Sequence, residues 1–166
     1  HAEPSTAATR AVQRDDDAAW FDDVYPHLHR MACVTAPPDI DPHDLVQDAL
    51  VRYLQLDDRD SVRSPRAFLT ATIVNLASNH RRSWTRGRAA FARLGRTEPA
   101  RNEYPSDLDD LDLLPPREQA VLYLHYVDGL PFAAVAELLG CSAAAARKAA
   151  ERGRRHLADV IEEDDQ

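Results

Sequence analysis

Cysteine is scarce in this 166-residue sequence: only Cys33 and Cys141 are present, far apart and without a Cys-x-x-Cys pair. Two isolated cysteines exclude a disulfide scaffold and a zinc ribbon, and they fit a reducing cytoplasm. Long hydrophobic runs are lacking as well, because the longest stretch without a charged residue, Ala67 to His80, spans 14 residues and includes two asparagines. That stretch is too short and too polar to span a membrane. Aromatic residues make up 7% and charged residues 29%, as is typical of a soluble helical protein.

Patterns typical of catalytic and metal sites are also missing. His29 and Cys33 lie one helical turn apart, a spacing that begins some metal sites, but no further ligand follows and core packing is the simpler interpretation. No serine has the context of a nucleophile elbow, and the acidic residues lack the arrangement of a catalytic dyad. The sequence therefore predicts no catalytic residue, no metal site and no cofactor.

The net charge of −8 is distributed unevenly along the chain. Residues 1–60 carry −8, residues 61–101 carry +8, residues 102–141 carry −7 and residues 142–166 carry −1. Because charges are screened beyond about 8 to 10 Å in physiological salt, a partner responds to the local block rather than to the total. An acidic protein of this kind is therefore still able to bind nucleic acid through its basic segment.

Apolar spacing predicts an all-α chain made of two small domains. We expect a disordered tail over residues 1–17 and a first domain over 18–84, with helices that begin near Trp20, at Asp41-Pro42 and at Ser64-Pro65. Residues 85–107, where Gly and Pro interrupt the pattern, are expected to form a linker. A second domain over 108–161 has helices that begin near Pro115, at Pro131 and at Ser142, and residues 162–166 form an acidic tail.

Two helices of the first domain carry polar faces. The second helix places Asp44, Gln47 and Asp48 on one side, which is either a solvated face or an acidic ridge that docks on a basic groove. On the third helix, amides and guanidinium groups align in one stripe. Such groups hydrogen-bond exposed base edges and the backbone of an unpaired strand, although a solvated face has the same pattern. The residues of this stripe and its flank are Asn75, Asn79, Arg81, Arg82 and Arg86.

The segment from Pro131 to about His156 has the spacing of a helix-turn-helix. In that motif the second helix enters the major groove, where arginine pairs with guanine or holds phosphates. The alternative is a basic helix that only complements its own dipole. The basic side chains of the outer face are Arg147, Lys148, Arg152, Arg154 and Arg155.

Taken together, these motifs resemble the extracytoplasmic-function (group 4) sigma factors of bacterial RNA polymerase. DPHDLVQDALVRYLQ (41–55) and SPRAFLTATIVNLASNHRRS (64–83) are similar to the polymerase-binding and promoter-melting helices of region 2. LPPREQAVLYLHYVDGLPFAAVAELLGCS (114–142) is similar to region 4, which contains the helix-turn-helix. The resemblance covers about residues 18–161, and it implies an all-α protein with a region 2 helical bundle and a region 4 domain joined by a linker.

The resemblance also implies partners and residue roles. Asp44, Gln47 and Asp48 would bind the clamp helices of the β′ subunit, and the first helix of the second domain would meet the flap of the β subunit. A flipped base of the −10 single strand would be held by the amide and arginine stripe, with the loop from Leu56 to Arg63. The −35 duplex would be read from the last helix, by Ser142, Arg147, Lys148, Glu151 and Arg152. An anti-sigma factor would cover these surfaces, and the protein would be cytoplasmic, without direct membrane insertion.

The chain departs from the family pattern in three ways. Ala143 to Ala146 replace varied polar residues at the start of the recognition helix, residues 86–101 carry five arginines and one glutamate where an acidic linker is common, and Phe68 replaces a tryptophan. The alanine run and the net acidity of the chain motivate a second hypothesis beside a promoter-specificity factor: a sigma-like decoy that binds an anti-sigma factor without reading DNA. Neither hypothesis makes the protein an enzyme.

Overall fold

The computed structural model describes residues 6–93 and 114–164, and in this part of the chain it contains six α-helices and no strand. The all-α prediction is confirmed. In chain order, the helices are α1 (Thr6–Thr35), α2 (Pro42–Leu54), α3 (Pro65–Arg93), α4 (Pro116–Leu122), α5 (Phe132–Leu139) and α6 (Ala143–Asp164). A short 3-10 helix (Arg59–Ser61) precedes α3, and a π-helical segment (Tyr123–Val127) follows α4.

Local capping explains where three of these helices begin. The carboxylate of Asp41 accepts a hydrogen bond from the backbone N–H of His43 at 2.9 Å, and Pro42 fills the first helical position of α2. The hydroxyl of Ser64 accepts one from the N–H of Ala67 at 3.2 Å, next to the start of α3. At the start of α6, Ser142 accepts one from Ala145 at 3.1 Å. All three starts were predicted from the sequence and are confirmed.

The first half packs α1, α2 and α3 around one apolar core. Its central side chains are fully buried and lie on the stripes that the helical spacing predicts, which are Leu28, Ala32, Leu45, Val46, Ala49, Leu69 and Ile73. Beside this core, the buried ring of His27 bonds to Thr70 and Arg66 of α3. The buried face of α2 leaves its opposite side free to face solvent.

A second core lies mainly between α4, α5 and α6. Gly140 ends α5 with φ +62°, the left-handed conformation that allows the sharp turn of a helix-turn-helix. Gly153 of α6 lies so close to α4 that a Cβ atom there would come within 2.8 Å of Leu122 Cδ1. The last helix is therefore held tightly against the first helix of this half.

The two halves are in contact, an arrangement that the sequence did not predict. Helices α1 and α3 touch α4, and α3 also touches α5. Met31 of α1 and Val74 of α3 are buried in the same cluster as Leu114, Val121 and Leu139 of the second half. The side chain of Arg30 reaches Asp128 at 3.8 Å across this contact.

Helix lengths differ from the expected boundaries. Helix α1 begins at Thr6, whereas the sequence predicts a disordered tail over residues 1–17. Helix α3 passes through Gly87 and ends at Arg93, nine residues inside the segment 85–107 expected as a linker. Helix α6 reaches Asp164, inside the expected acidic tail 162–166. The rest of the linker, the start of the expected second domain and the last two residues lie outside the described residues.

Candidate functional site

The acidic ridge of α2 lies on the surface. Asp44, Gln47 and Asp48 are all exposed, and their i, i+3, i+4 spacing places them on one face of the helix. The structure thus brings these three predicted residues together. Their charge lies opposite the buried face of the helix, so a partner can reach it without disturbing the core.

Beside the acidic ridge is an open cleft of about 250 Å³ between α2 and α3. The three ridge residues line it together with Ile40, Leu45 and His80. The exposed face of α2 continues past the cleft with Val51 and Leu54, whose exposed fractions of 49% and 61% are high for apolar side chains. Apolar contact area next to carboxylates is typical of a protein-binding surface. Helical spacing predicts Val51 on this exposed face and Leu54 on the buried side of α2, and the exposure of Leu54 shows that the second prediction is wrong. His80 has no role predicted from the sequence.

The amide face of α3 consists of Asn75, Asn79, Arg82 and Arg86, which are all exposed. The guanidinium of Arg82 donates a hydrogen bond to the side-chain oxygen of Asn79 at 2.8 Å. Arg86 donates through Nε to the backbone carbonyl of Arg82 at 3.3 Å. These contacts orient the Asn79 amide group so that its NH₂ group remains available as a donor. Helix α3 carries six arginines and no acidic residue, so the field around this face is positive.

Arg81 does not belong to this exposed face. Its side chain is partly buried and donates to the backbone carbonyl of Leu114 in the second half. Neighbouring residues on a helix point about 100° apart, and therefore Arg82 faces solvent while Arg81 turns toward the other half. The expected contact of Arg81 with the −10 strand does not fit this arrangement of the halves.

The outer face of α6 presents exposed basic residues beyond the turn at Gly140. Arg147 and Lys148 are exposed one turn after the cap at Ser142, which is itself exposed. The Arg147 guanidinium lies over the ring of Phe132 in α5, with its central carbon 5.7 Å from the ring centre. This stacking steers the guanidinium along the outside of the helix-turn-helix. Two of the four alanines in the run, Ala144 and Ala145, are exposed, and Ala146 is buried in the core.

Two other predicted −35 residues have partners within the chain. Glu151 is exposed and accepts a hydrogen bond from Arg155 at 3.1 Å. Arg152 donates from Nε to the carboxylate of Glu118 at 3.2 Å, and His156 Nδ1 lies 2.8 Å from the other oxygen of the same carboxylate. Glu118 is buried, whereas Arg152 and His156 are half exposed. Arg152 therefore ties α6 to α4 through its Nε, while half of its side chain remains exposed.

Glu118 is a structural residue that the sequence analysis missed. A signal for it exists, because Glu118 precedes the buried Val121 and Leu122 by three and four positions and thus falls in the apolar register of α4. A charged residue in that register needs a buried partner. Its partners lie 34 and 38 residues further along, so helical spacing does not reveal them.

His27 lies buried between α1 and α3, and this position shifts its pKa well away from the ordinary value. Burial and the nearby Arg66 guanidinium lower the pKa of His27 to about 4, while Asp128 acts in the opposite direction. Arg66 donates to Nδ1 at 3.1 Å, which requires a lone pair there, and the Nε2–H then donates to Thr70 at 3.0 Å. This ring is neutral near pH 7 and serves as a packing and hydrogen-bonding element.

Among residues 6–93 and 114–164, no group of three His, Cys, Asp or Glu side chains is arranged to hold a metal ion. His29 lies one turn before Cys33 with 3.8 Å between ring nitrogen and sulfur, and its ring also contacts the rings of His43 and Tyr25. No helix in the described part of the chain is both long and apolar enough to cross a membrane.

Two family models match the chain in the order that the motifs predict. The model for sigma-70 region 2 matches residues 20–87, and the model for sigma-70 region 4 matches residues 111–157. The first match contains α2 and most of α3, and the second contains the helix-turn-helix. The matched regions therefore contain the acidic ridge of α2, the amide face of α3 and the basic face of α6.

Similar proteins agree with the family models. The ECF RNA polymerase sigma factor SigJ of Mycobacterium tuberculosis is 30% identical over 152 residues, which cover 81% of this chain and 48% of that protein. This chain thus spans about half the length of the curated relative that it matches. The fold of this chain is similar to that of the sigma factor RpoE of Bartonella quintana, which was solved in complex with the anti-sigma factor NepR. Those chains share 21% identity and a TM-score of 0.57 over 89% of this chain and 97% of that one.

The crystal structure of SigJ from M. tuberculosis is a second structural relative, with 24% identity and a TM-score of 0.52 over 84% of this chain and 52% of that one. These two structures support the fold, and the paired region models and the related sequence identify the family. Proteins of this family are DNA-binding regulators and not enzymes. The chain belongs to the sigma-70 family, as a member of its extracytoplasmic-function group.

Proposed function

We propose that this chain is an alternative sigma factor that binds core RNA polymerase and directs it to promoters. The observation that carries the proposal is the presence of an acidic ridge, an amide face and a basic helix-turn-helix face on one chain, all three accessible to solvent. One protein that bridges polymerase and two DNA elements needs three such surfaces.

In this proposal Asp44, Gln47 and Asp48 bind the clamp helices of the β′ subunit. The charge of the acidic ridge fits a basic groove, and Val51 and Leu54 add apolar area at its end. The first helix of the second half would meet the β flap. The site of action would be the cytoplasm, where polymerase and promoter DNA are found.

Promoter opening would depend on α3. Asn75 and Asn79 would hydrogen-bond the edge of a flipped −10 base, while Arg82 and Arg86 hold the backbone of the separated strand. Helix α3 carries six arginines and no acidic residue, and the positive field of these side chains favours binding of the separated strand. No covalent chemistry is required, since the binding free energy of the captured base offsets part of the cost of unstacking it.

Readout of the −35 duplex would come from α6. Arg147 and Lys148 stand at the outer face, where they reach base edges or phosphates, and the exposed methyl groups of Ala144 and Ala145 suit the methyl group of thymine. An anti-sigma factor would restrain the protein by covering these surfaces. The structural relative solved with an anti-sigma factor supports this part of the proposal.

Run-off transcription tests the proposal. Core polymerase from a related bacterium is mixed with this chain and fragments of the source genome, and the 5′ ends of the transcripts are sequenced. We expect start sites that share upstream elements and that vanish with Asp48→Arg. A folded protein that yields no promoter-dependent transcript in the absence of any anti-sigma factor would contradict the proposal.

The second candidate, a decoy that binds an anti-sigma factor without reading DNA, is favoured by one observation. Arg152 is engaged with Glu118, and the exposed residues between Ser142 and Arg147 are alanines, so Arg147 and Lys148 carry most of the base readout that remains. DNA binding separates the two functions, because real phosphate contacts weaken steeply with salt. A decoy would show no salt-dependent binding of duplex DNA even at low ionic strength.

A further inference from the structure

Three side chains stack beside the turn of the helix-turn-helix, and each comes from a different element. The ring of His125, in the π-helical segment, has its centre 3.9 Å from the centre of the Phe132 ring of α5, with 21° between the two planes. The guanidinium carbon of Arg147, in α6, lies 5.7 Å from the centre of the same Phe132 ring. We call these three side chains the aromatic stack. Phe132 thus links the basic face of α6 to the segment that follows α4.

Both rings of the aromatic stack are fixed by contacts of their own. His125 Nδ1 lies 2.7 Å from the backbone carbonyl oxygen of Leu130. A carbonyl only accepts hydrogen bonds, so Nδ1 carries the proton and donates it. Phe132 is half-buried and packs against the core of the second half. The ring that Arg147 contacts is therefore a rigid surface.

Arg147 is held in a different way from two other arginines of α6. Arg152 and Arg155 are paired with the carboxylates of Glu118 and Glu151. A carboxylate occupies N–H donors, and its negative charge opposes the approach of DNA phosphates. The Phe132 ring is neutral and takes no ordinary hydrogen bond, so this contact leaves the charge and the planar fork of N–H donors of Arg147 available.

We propose that Phe132 and His125 are positioning residues that hold Arg147 in place to read a guanine in the major groove of the −35 duplex. The inference rests on the proposed sigma-factor function. Arginine pairs bidentately with the O6 and N7 acceptors of guanine, which match its fork of donors. A side chain that is already stacked loses less conformational freedom on binding than a free one, and this difference favours the contact.

The neighbouring exposed residue on the same face of α6 specifies a second base. Ala144 is exposed and lies one helical turn before Arg147, about 4.5 Å away along the helix axis. A methyl side chain in the major groove suits the methyl group of thymine. Since successive bases are about 3.4 Å apart, we expect a thymine within about two base pairs of the guanine that Arg147 reads.

Base analogues in a selected duplex test the proposal. The full chain is used to select its preferred sequence from a pool of randomised duplexes, without polymerase. The guanine of the selected site is then replaced by 7-deazaguanine, which lacks N7, or by hypoxanthine, which keeps both O6 and N7. Fluorescence anisotropy measures the affinity of each duplex. A loss with 7-deazaguanine but not with hypoxanthine identifies readout in the major groove.

The wild-type chain should prefer guanine over 7-deazaguanine by about fivefold or more, and Arg147→Ala should abolish this preference. Phe132→Leu should weaken binding of the guanine duplex by about two- to fivefold and narrow the preference. His125→Leu, which removes the ring behind Phe132, should act in the same direction. In the Arg147→Ala background, neither substitution should cause a further loss, because the side chain that they position is absent.

Two further variants separate positioning from packing. Phe132→Tyr keeps the ring face and should retain the preference for guanine. Tyr123→Leu removes another half-buried ring that packs against the same core, and it should leave the preference unchanged. Circular dichroism checks that each variant is folded, and His125→Leu supplies a second test of the aromatic stack if Phe132→Leu is not.

The outcomes separate this inference from the proposed function. If Phe132→Leu and His125→Leu weaken both duplexes equally, or weaken binding as much in the Arg147→Ala background, the two rings only pack and the inference is overturned. A chain that selects no guanine also overturns it, while promoter-dependent transcript from that chain would leave the sigma-factor function standing. A preference for guanine that depends on Phe132 and Arg147, in a chain that forms no transcript with core polymerase, would support the aromatic stack and overturn the proposed function.

Discussion

Glu118 and Arg152 form a hydrogen-bonded ion pair of 3.2 Å that joins the first and last helices of the helix-turn-helix half. The carboxylate is buried with 6% exposure, and its second oxygen contacts His156. Without these partners a buried carboxylate would destabilise this half of the protein. Arg152, which helical spacing assigns to DNA, thus has a structural partner that spacing alone does not show.

The first prediction concerns the stability of this half. Replacing Glu118 with Gln removes the charge from two hydrogen bonds and should lower the free energy of unfolding by about 1 to 3 kcal/mol. Urea denaturation followed by circular dichroism measures this change. Glu151→Gln is the matched control, because its exposed ion pair with Arg155 contributes only about 0.3 to 0.5 kcal/mol. Equal effects of the two substitutions would show that the buried pair has no special role.

The second prediction separates Arg147 from Arg152. Arg147→Ala should weaken binding to the −35 duplex by about 1 to 3 kcal/mol if the side chain reads a base, with the fold unchanged. Arg152→Ala should mainly lower stability, because its guanidinium holds Glu118. Fluorescence anisotropy with labelled duplex over a range of salt concentrations, together with urea denaturation, measures both quantities. The reverse result, a DNA defect confined to Arg152→Ala, would mean that the two roles are exchanged.

The third prediction concerns the acidic ridge. Asp48→Arg reverses an exposed charge and should weaken binding to core polymerase by about tenfold or more, since like charges then face each other in the complex. Thermal stability should be unchanged, because Asp48 has no part in the core. Asp22→Arg makes the same reversal at an exposed position of α1 and should retain full binding. Loss of binding in both variants would point to nonspecific attraction by net charge.

The fourth prediction is a dependence of stability on pH. The pKa of His27 is lowered to about 4 in the folded chain, and an unfolded histidine titrates near 6.5. Between these two values the unfolded state binds more protons, so stability should fall as the pH drops from about 6.5 to 4. The loss from this one group approaches about 3 kcal/mol at the low end and is absent above about pH 7.

Urea midpoints at pH 7.5 and pH 5 measure this effect. His27→Gln should flatten the difference between the two midpoints, and His80→Gln, in the cleft beside the acidic ridge, is the matched histidine control. The groups that face His27 are Arg66 and Thr70 of α3, Arg30 of α1 and Asp128 of the second half. An unchanged pH dependence in His27→Gln would assign the acid sensitivity to other groups.

Helix starts were predictable because their signals are local. Asp41-Pro42 and Ser64-Pro65 satisfy free backbone groups within three residues, so the same residues that mark a start in the sequence also form it. The exposed positions of Asp44, Asp48 and Asn79 followed from the same reasoning, since helical spacing separates the apolar side from the polar one. These features depend on neighbours in the sequence.

Contacts between distant segments were not predictable in this way. The hydrogen bond from Arg81 to Leu114 joins residues that are 33 positions apart, and no sequence pattern around either residue predicts it. The π-helical segment Tyr123–Val127 extends the fourth helix in a geometry that apolar spacing does not specify, and it leaves Tyr126 and Val127 exposed. The packing of the two halves was also not predictable from sequence patterns, because Met31 and Val74 have the spacing of ordinary core residues of their own helices.

The most direct test of the account is the permanganate reactivity of unpaired thymines in a promoter bound by core polymerase and this chain. We expect reactive thymines around the −10 element with the wild-type chain. With Asn79→Ala we expect a reduction of reactivity while binding to core polymerase is retained, because the amide would no longer hold the flipped base. Strand separation that is unaffected by Asn79→Ala, or a promoter that stays fully paired with the wild-type chain, would contradict it.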